Sequence, residues 1–70
     1  MKKYVLRCRT FSGNTLFFCH QYLAGTKQNV FVSNINMALI YYENQIGTAE
    51  IELLQIMSDF QIKTYTIEIL

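Results

Sequence analysis

The sequence predicts an α+β fold: a small antiparallel sheet led by a β-hairpin, with one main helix packed on one face and a C-terminal strand. Two runs of alternating side chains flank a Gly-Asn step, which is typical of a hairpin. Residues 48–60 carry an apolar stripe at helical spacing, and residues 62–70 alternate again. No repeat, low-complexity segment or linker interrupts the 70 residues, so we expect one domain over 1–70.

The hairpin is predicted over residues 3–23. In its first strand, the even-numbered positions from Tyr4 to Thr10 form one face, and the odd-numbered positions from Lys3 to Arg9 form the other. If Gly13 and Asn14 make a two-residue loop, the numbers of paired positions add up to 27. This register predicts four facing pairs: Cys8 with Cys19, Thr10 with Phe17, Arg9 with Phe18, and Arg7 with His20.

The middle of the chain leaves two alternatives open. Residues 24–29 have the composition of a loop, and Val30–Val32 is a short strand-like run. Between Asn34 and Ile46 the pattern fits a helix capped by Asn34, with Ile35, Leu39, Tyr42 and Ile46 on one stripe. It equally fits a strand over residues 37–42 that follows a turn.

The main helix is predicted over residues 48–60, with Gly47 breaking the chain before it and Thr48 capping its first turn. Its core stripe is apolar, and Ile51 and Leu54 widen the apolar side. The stripe consists of Ala49, Leu53, Ile56, Met57 and Phe60.

Composition limits the class of protein. The chain is 51% hydrophobic, which is too apolar for a disordered segment. Its apolar stretches are far shorter than the roughly 20 residues that cross a bilayer, and Arg7 and Arg9 interrupt any signal-like run. Two cysteines are too few for a disulfide scaffold. The predicted register places Cys8 opposite Cys19 and therefore allows one disulfide between them. We expect a cytoplasmic protein that binds no membrane.

Charge is divided along the chain. Through Lys27 there are five basic residues and no acidic one, giving +5, whereas from Gln28 onward one lysine stands against five acidic residues, giving −4. Such a division predicts a sided electrostatic surface or two copies that meet head to tail.

The sequence predicts no catalytic, metal-binding or cofactor site, and therefore no enzyme. Cys19 and His20 are adjacent on a strand, so their side chains point to opposite faces and do not form a nucleophile–base pair. The cysteines and His20 lack zinc-ligand spacing, and no glycine-rich loop leads from a strand into a helix to bind phosphate. We expect no small-molecule substrate.

Two surfaces are predicted to bind partners. With the predicted register, Arg7 and Arg9 lie beside Phe18, His20 and Tyr22, which is an arrangement that single-stranded nucleic acid uses for phosphate contact and base stacking. The chain also holds more large apolar side chains than one helix on a small sheet can bury. Some, including Ile51 and Leu54, are therefore expected at an interface with a host protein or with a second copy in a homodimer.

Three segments carry a resemblance: "MKKYVLRCRTFSGNTLFF", "NINMALIYYENQIGTAEIELLQI" and "YTIEI". They resemble short uncharacterised proteins of phages and mobile elements of Gram-positive bacteria, in which an Ala-x-x-Tyr step such as Ala38–Tyr41 lies on a third strand. The resemblance favours a strand over residues 37–42. It also implies an accessory factor that inhibits or modulates a host protein, such as a defence nuclease. The alternative is a nucleic-acid-binding module that uses the basic and aromatic hairpin face.

Overall fold

A computed structural model describes all residues from 1 to 70 and confirms the α+β fold. An antiparallel five-stranded sheet carries one α-helix on one face, and a short 3-10 turn spans Ile35–Met37. The elements are β1 (Lys3–Thr10), β2 (Thr15–Leu23), β3 (Thr26–Val32), β4 (Tyr41–Tyr42), α1 (Glu43–Ile56) and β5 (Ile62–Ile69).

Strand β1 lies at the centre of the sheet. Its whole length pairs with β5 on one side, from Tyr4 opposite Ile69 to Thr10 opposite Ile62. Because β5 occupies that edge, β2 and β4 share the other edge: β2 pairs near Cys8, and β4 pairs near Lys3. Strand β3 pairs only with β2, so the sheet has two long free edges, one on β3 and one on β5, besides the outer edge of the two-residue strand β4.

The hairpin between β1 and β2 has a different register from the predicted one. Its loop has three residues, Phe11 to Gly13, because the Thr10 N–H donates to the Asn14 carbonyl and the Gly13 N–H donates to the Thr10 carbonyl. Gly13 takes a positive φ of 93°, which glycine adopts without strain. Three-residue loops of this kind are the next most common after two-residue loops.

The numbers of paired positions in this hairpin therefore add up to 24 rather than 27. Arg7 lies opposite Phe17, and Arg9 lies opposite Thr15, so the predicted pairings of the two arginines with His20 and Phe18 are wrong. The register differs by an odd number of residues, which moves every β2 side chain to the other face relative to β1. Cys8 lies opposite Leu16 rather than Cys19, and Cys8 and Cys19 are both free thiols.

The predicted loop over residues 24–29 is much shorter in the structure. Only Ala24 and Gly25 form the turn, and both have positive φ, 51° and 79°. Positive φ at both central residues is the requirement of the tight hairpin turn that suits strand twist. Strand β3 therefore begins at Thr26 and is longer than the predicted Val30–Val32.

Neither alternative for residues 34–46 holds along its full length. Asn34 caps the 3-10 turn, its side chain accepting from the Asn36 N–H at 2.9 Å. The strand favoured for residues 37–42 is limited to Tyr41–Tyr42. Helix α1 begins at Glu43 rather than at residue 48, and the Gln45 side chain accepts from the Tyr42 N–H at 3.0 Å.

Gly47 lies inside α1 and does not break it, so the predicted helix boundaries are wrong by several residues at each end. The helix ends at Ile56, and a turn that includes Gln61 with φ 56° leads into β5. Of the predicted core stripe, Ala49 and Leu53 are buried, whereas Phe60 lies beyond the helix and is 46% exposed.

The main core fills the space between the sheet and α1. It consists of Leu6, Cys8, Phe18, Tyr41, Ala49, Leu53 and Ile62. Strand alternation puts Val5 and Phe17 on the opposite sheet face, and they are buried there. The Cys19 sulfur on that face lies 3.8 Å from the Met37 carbonyl oxygen, so the 3-10 segment covers part of it. No helix in the structure is both long enough and apolar enough to cross a membrane.

Candidate binding surfaces

The predicted basic and aromatic face does not exist as one surface. Arg7 and Arg9 lie on the sheet face that points away from α1, whereas Phe18, His20 and Tyr22 lie on the α1 face. Phe18 is completely buried in the core and cannot contact a partner. The reason is the three-residue loop, which inverts β2 relative to the predicted register.

The arginines instead border a shallow cleft, which we call the basic cleft. It has a volume of about 310 Å³ and is lined by Arg7, Arg9, Thr64, Thr66 and Glu68, with the Cys8 backbone segment between the arginines. The Arg7 guanidinium lies 3.8 Å from the Glu68 carboxylate, and both groups are exposed. Such surface pairs contribute little to stability, but Glu68 offsets the positive charge of Arg7. Arg9 makes no ion pair.

A second cleft, the sheet–helix pocket, lies between β2, β4 and the start of α1. Its volume is about 300 Å³, and its lining includes His20, Tyr41, Thr48 and Glu52. The His20 Nδ1 and Tyr41 Oη atoms are buried and have no hydrogen-bond partner in the protein. Because buried polar groups normally have partners, these two atoms give the pocket the capacity to hydrogen-bond a small polar group.

Burial controls ionisation in the sheet–helix pocket. Burial lowers the pKa of His20, and the nearby Lys27 ammonium lowers it further. Burial also raises the pKa of Tyr41 well above its usual range. Both side chains are therefore neutral near pH 7. The charges nearby belong to Glu52 and Lys27, whose Oε2 and Nζ atoms lie 2.6 Å apart.

Exposed apolar side chains run along one side of α1. Ile51 is 59% exposed and Leu54 is 54% exposed, and together with Gly47 they follow the i, i+4, i+7 spacing of one helix ridge. The Tyr65 hydroxyl donates to the Glu50 carboxylate, which places this side of the helix above β5. The space around Gly47 is open, since apart from the adjacent residues and the backbone of the helix itself no atom lies within 4 Å of the position a Cβ would take.

Strand β5 continues this apolar surface. Ile67 and Ile69 alternate with Tyr65 and so lie on the α1 face of the sheet, where they are 37% and 60% exposed. We refer to Ile51, Leu54, Ile67 and Ile69 as the apolar flank. The sequence predicted its helical half at Ile51 and Leu54, and it missed the β5 half because residues 62–70 gave no indication of which strand edge would remain free.

The candidate chemistry considered from the sequence is placed as follows. Cys19 and His20 point to opposite faces: the Cys19 sulfur lies near Met37, and the His20 ring packs with Tyr22 and Tyr41. Burial raises the pKa of Cys8 to about 11. No three His, Cys, Asp or Glu side chains group closely enough to hold a metal ion.

No known protein family, curated protein or solved structure matches this chain.

Proposed function

We propose that the protein is a non-enzymatic binding protein, an accessory factor of a phage or mobile element that inhibits or modulates a host protein through its apolar flank. The exposure of this flank is the observation that carries the proposal. The connection to phages and mobile elements rests on the sequence resemblance alone.

The amount of exposed apolar surface supports a binding role. Nine apolar residues are buried, whereas fourteen large apolar side chains are exposed, from Met1 to Leu70. Scattered single exposures are normal, but a contiguous apolar patch on a small protein marks an interaction site. We take the apolar flank as such a site, because Ile51 and Leu54 lie near Glu50 on α1, Ile67 lies near Tyr65 on β5, and the Tyr65 hydroxyl donates to the Glu50 carboxylate.

Charge around the apolar flank indicates the chemistry of the partner. The carboxylates of Glu43 and Glu50 border it, Glu43 near the Tyr4 hydroxyl at 3.5 Å and Glu50 beside Tyr65. A complementary partner surface is apolar at its centre and basic at its rim. Host enzymes that act on nucleic acid carry basic surfaces, and a defence nuclease therefore fits the proposal.

The nucleic-acid alternative loses part of its support. Base stacking needs aromatic side chains beside the cations, and in this fold Phe18, His20 and Tyr22 lie on the opposite face from Arg7 and Arg9. The basic cleft keeps one cation, Arg9, without an ion pair. If nucleic acid were the ligand, binding would weaken steeply with salt, and replacing both arginines with Ala would weaken it by about 1 to 3 kcal/mol.

The test is capture from a lysate of a Gram-positive bacterium, compared among matched variants. The variant Ile51→Ser with Leu54→Ser removes the helical half of the flank, and Tyr22→Ser with Leu23→Ser removes two side chains that are equally exposed at the far end of β2. We expect one host protein to be captured by the wild type and by the β2 variant and to be lost with the flank variant. Calorimetry with the purified host protein should then reproduce this order.

Equal capture by the two variants would contradict the proposal, as would capture of nucleic acid alone. Thermal melting of both variants provides the folding control. Because all four residues are exposed, neither variant should lose its cooperative transition.

A further inference from the structure

Strand β5 pairs with β1 on one side, in one of the two longest ladders of the sheet. Its other side is a free edge along the whole length of the strand. We propose that a second copy of this chain pairs with that edge, β5 against β5 in antiparallel orientation, with Thr66 on the two-fold axis. The result is a homodimer with one continuous sheet.

The hydrogen-bonding groups of β5 are directed for this pairing. The Leu70 N–H donates to the Lys3 carbonyl at 2.9 Å, so residue 70 points its backbone groups toward β1. Backbone groups alternate along an antiparallel ladder. Positions 68, 66 and 64 therefore also face β1, and Tyr65, Ile67 and Ile69 direct their N–H and C=O groups outward. These outward groups have no partner strand within one copy.

Symmetry then fixes the register. Two antiparallel strands related by a two-fold axis perpendicular to the sheet keep the same face up, so the numbers of paired positions add up to an even number. The largest overlap of the segment Ile62–Leu70 is obtained when its central residue, Thr66, faces itself. In this register the backbone of Tyr65 hydrogen-bonds with the backbone of Ile67 of the second copy. The two-fold axis repeats this pair, with Ile67 of the first copy facing Tyr65 of the second copy.

Side chains are compatible with this register. On the α1 face, Tyr65 lies against Ile67 of the second copy, an aromatic–β-branched pair of the kind that stabilises sheets. On the other face, Thr64 lies against Glu68 of the second copy. No like charges face each other, since Lys63 lies against Ile69 of the second copy.

The other long free edge of the sheet is unsuitable for the same role. The outer edge of β3 begins with Thr26, Lys27, Gln28 and Asn29, which are all polar. Natural sheets protect free edges with charged and polar side chains, and lysine is common in this position. β5 carries two charged residues, Lys63 near its start and Glu68 near its end, where Glu68 lies 3.8 Å from Arg7 of the same copy; its other residues are isoleucine, threonine and tyrosine. The contrast indicates that β5 is the edge that is covered.

The dimer also completes the apolar flank. With the order β1, β5, β5, β1 across the axis, the two helices lie on the same face of the joint sheet, separated by a groove. Both copies of Ile67 line its floor, and both ridges of Gly47, Ile51 and Leu54 form its walls. Only this last step rests on the proposed function; the dimer itself does not.

Cysteine cross-linking tests the register directly. In a Cys19→Ser background, Thr66→Cys places two thiols opposite each other at a non-hydrogen-bonded pair, where Cα atoms lie about 4.5 Å apart and a disulfide can form. The matched control is Thr64→Cys, which is also exposed. Its two copies lie four residues apart along the strands, roughly 13 Å at strand rise. Mild oxidation should cross-link most of the first variant and little of the second.

A charge variant tests the dimer without cysteines. Thr66→Glu places a carboxylate across from Arg7 within each copy, but directly against its own counterpart in the dimer. Sedimentation at high protein concentration should give a dimer for the wild type and a monomer for Thr66→Glu. The two proteins should melt at the same temperature when both are dilute enough to be monomeric, because dimerisation itself raises the melting temperature at high concentration. A monomeric wild type, a dimeric Thr66→Glu, or equal cross-linking at positions 64 and 66 would overturn the proposal. No host protein is present, so the outcome is independent of target binding.

Discussion

The imidazole ring of His20 packs against the phenol ring of Tyr41, with centroids 6.2 Å apart. The contact joins β2 to the short strand β4, which enters the sheet on the same edge of β1. It also holds the buried His20 Nδ1 atom beside the sheet–helix pocket, between the charges of Lys27 and Glu52. The stability of the fold therefore depends on the protonation state of this ring.

We expect the free energy of unfolding to fall as the pH is lowered through the range in which His20 titrates. Burial lowers the pKa of His20 below its ordinary value of 6.5 in the folded protein, so below that pH the unfolded chain binds a proton that the folded chain does not. The contribution of neutral His20 to the free energy of unfolding is therefore fully present above pH 6.5, and it is lost as the pH falls toward the pKa of His20 in the folded protein. Urea unfolding of the wild type and of His20→Gln from pH 7.5 to 5.5 checks this. The free energy of unfolding of the wild type minus that of the variant should fall as the pH is lowered. A constant difference would contradict it.

Replacing Phe18 with Ala should unfold the protein or nearly do so. The ring is completely buried, and it packs on Phe31 with centroids 5.6 Å apart. Truncation of a buried Phe costs about 3–5 kcal/mol, close to the whole stability expected for a domain of this size. Tyr22→Ala is the control, because Tyr22 is 67% exposed on the same strand and should change stability by less than about 0.5 kcal/mol. Circular dichroism during thermal melting distinguishes the two, and similar losses would be inconsistent with the observed register.

Replacing Gly47 with Ala should stabilise the fold and weaken target capture. Glycine inside a helix costs roughly 0.5–1 kcal/mol relative to Ala, and the added methyl group would meet no atom within 4 Å apart from the adjacent residues and the helix's own backbone. Its position on the ridge with Ile51 and Leu54 brings that methyl group into the surface proposed for the host protein. The melting temperature should rise by several degrees. Gly25→Ala is the control and should destabilise, because Gly25 has a φ of 79°. A rise in stability with unchanged capture would remove Gly47 from the contact surface.

The two thiols should react with Ellman's reagent at very different rates. Cys19 is partly exposed, whereas Cys8 is 1% exposed, and burial raises its pKa to about 11. Since the thiolate is the reactive form, Cys8 should react only when the chain unfolds. At pH 8 we expect one thiol per chain to react before urea is added and two afterwards, with the early phase absent in Cys19→Ser. Two early thiols, or none after unfolding, would be inconsistent with the structure.

Local pattern predicted the elements with strong periodicity. The alternation in β1 is confirmed, because Leu6, Cys8 and Thr10 are buried and Arg7 and Arg9 are exposed. Strand β5 begins at Ile62, as predicted. The hairpin register failed because Ser12-Gly13-Asn14 fits both a two-residue and a three-residue loop, and only the backbone conformation of Gly13 distinguishes them.

Tertiary contacts decided the other boundaries. Gly47 has a low helix propensity, but Ile46, one residue before it, packs on the core, and packing of an apolar stripe overrides propensity. The role of Tyr41 was missed because its burial depends on β4 pairing with Tyr4, far away in sequence. Likewise, the flank at Ile67 and Ile69 depends on β5 becoming an edge strand, which no local pattern encodes.

The pairing of β1 with β5 has a consequence for how the chain folds. Tyr4 and Ile69 are direct neighbours in the ladder although 65 positions separate them in sequence. Closing so long a loop costs chain entropy before any contact compensates for it, and a fold dominated by such distant pairs acquires its structure slowly. The β2–β3 hairpin forms from local contacts, but β1 keeps an open edge until β5 arrives. The rate of folding is therefore set by the meeting of the two strands farthest apart in the sequence.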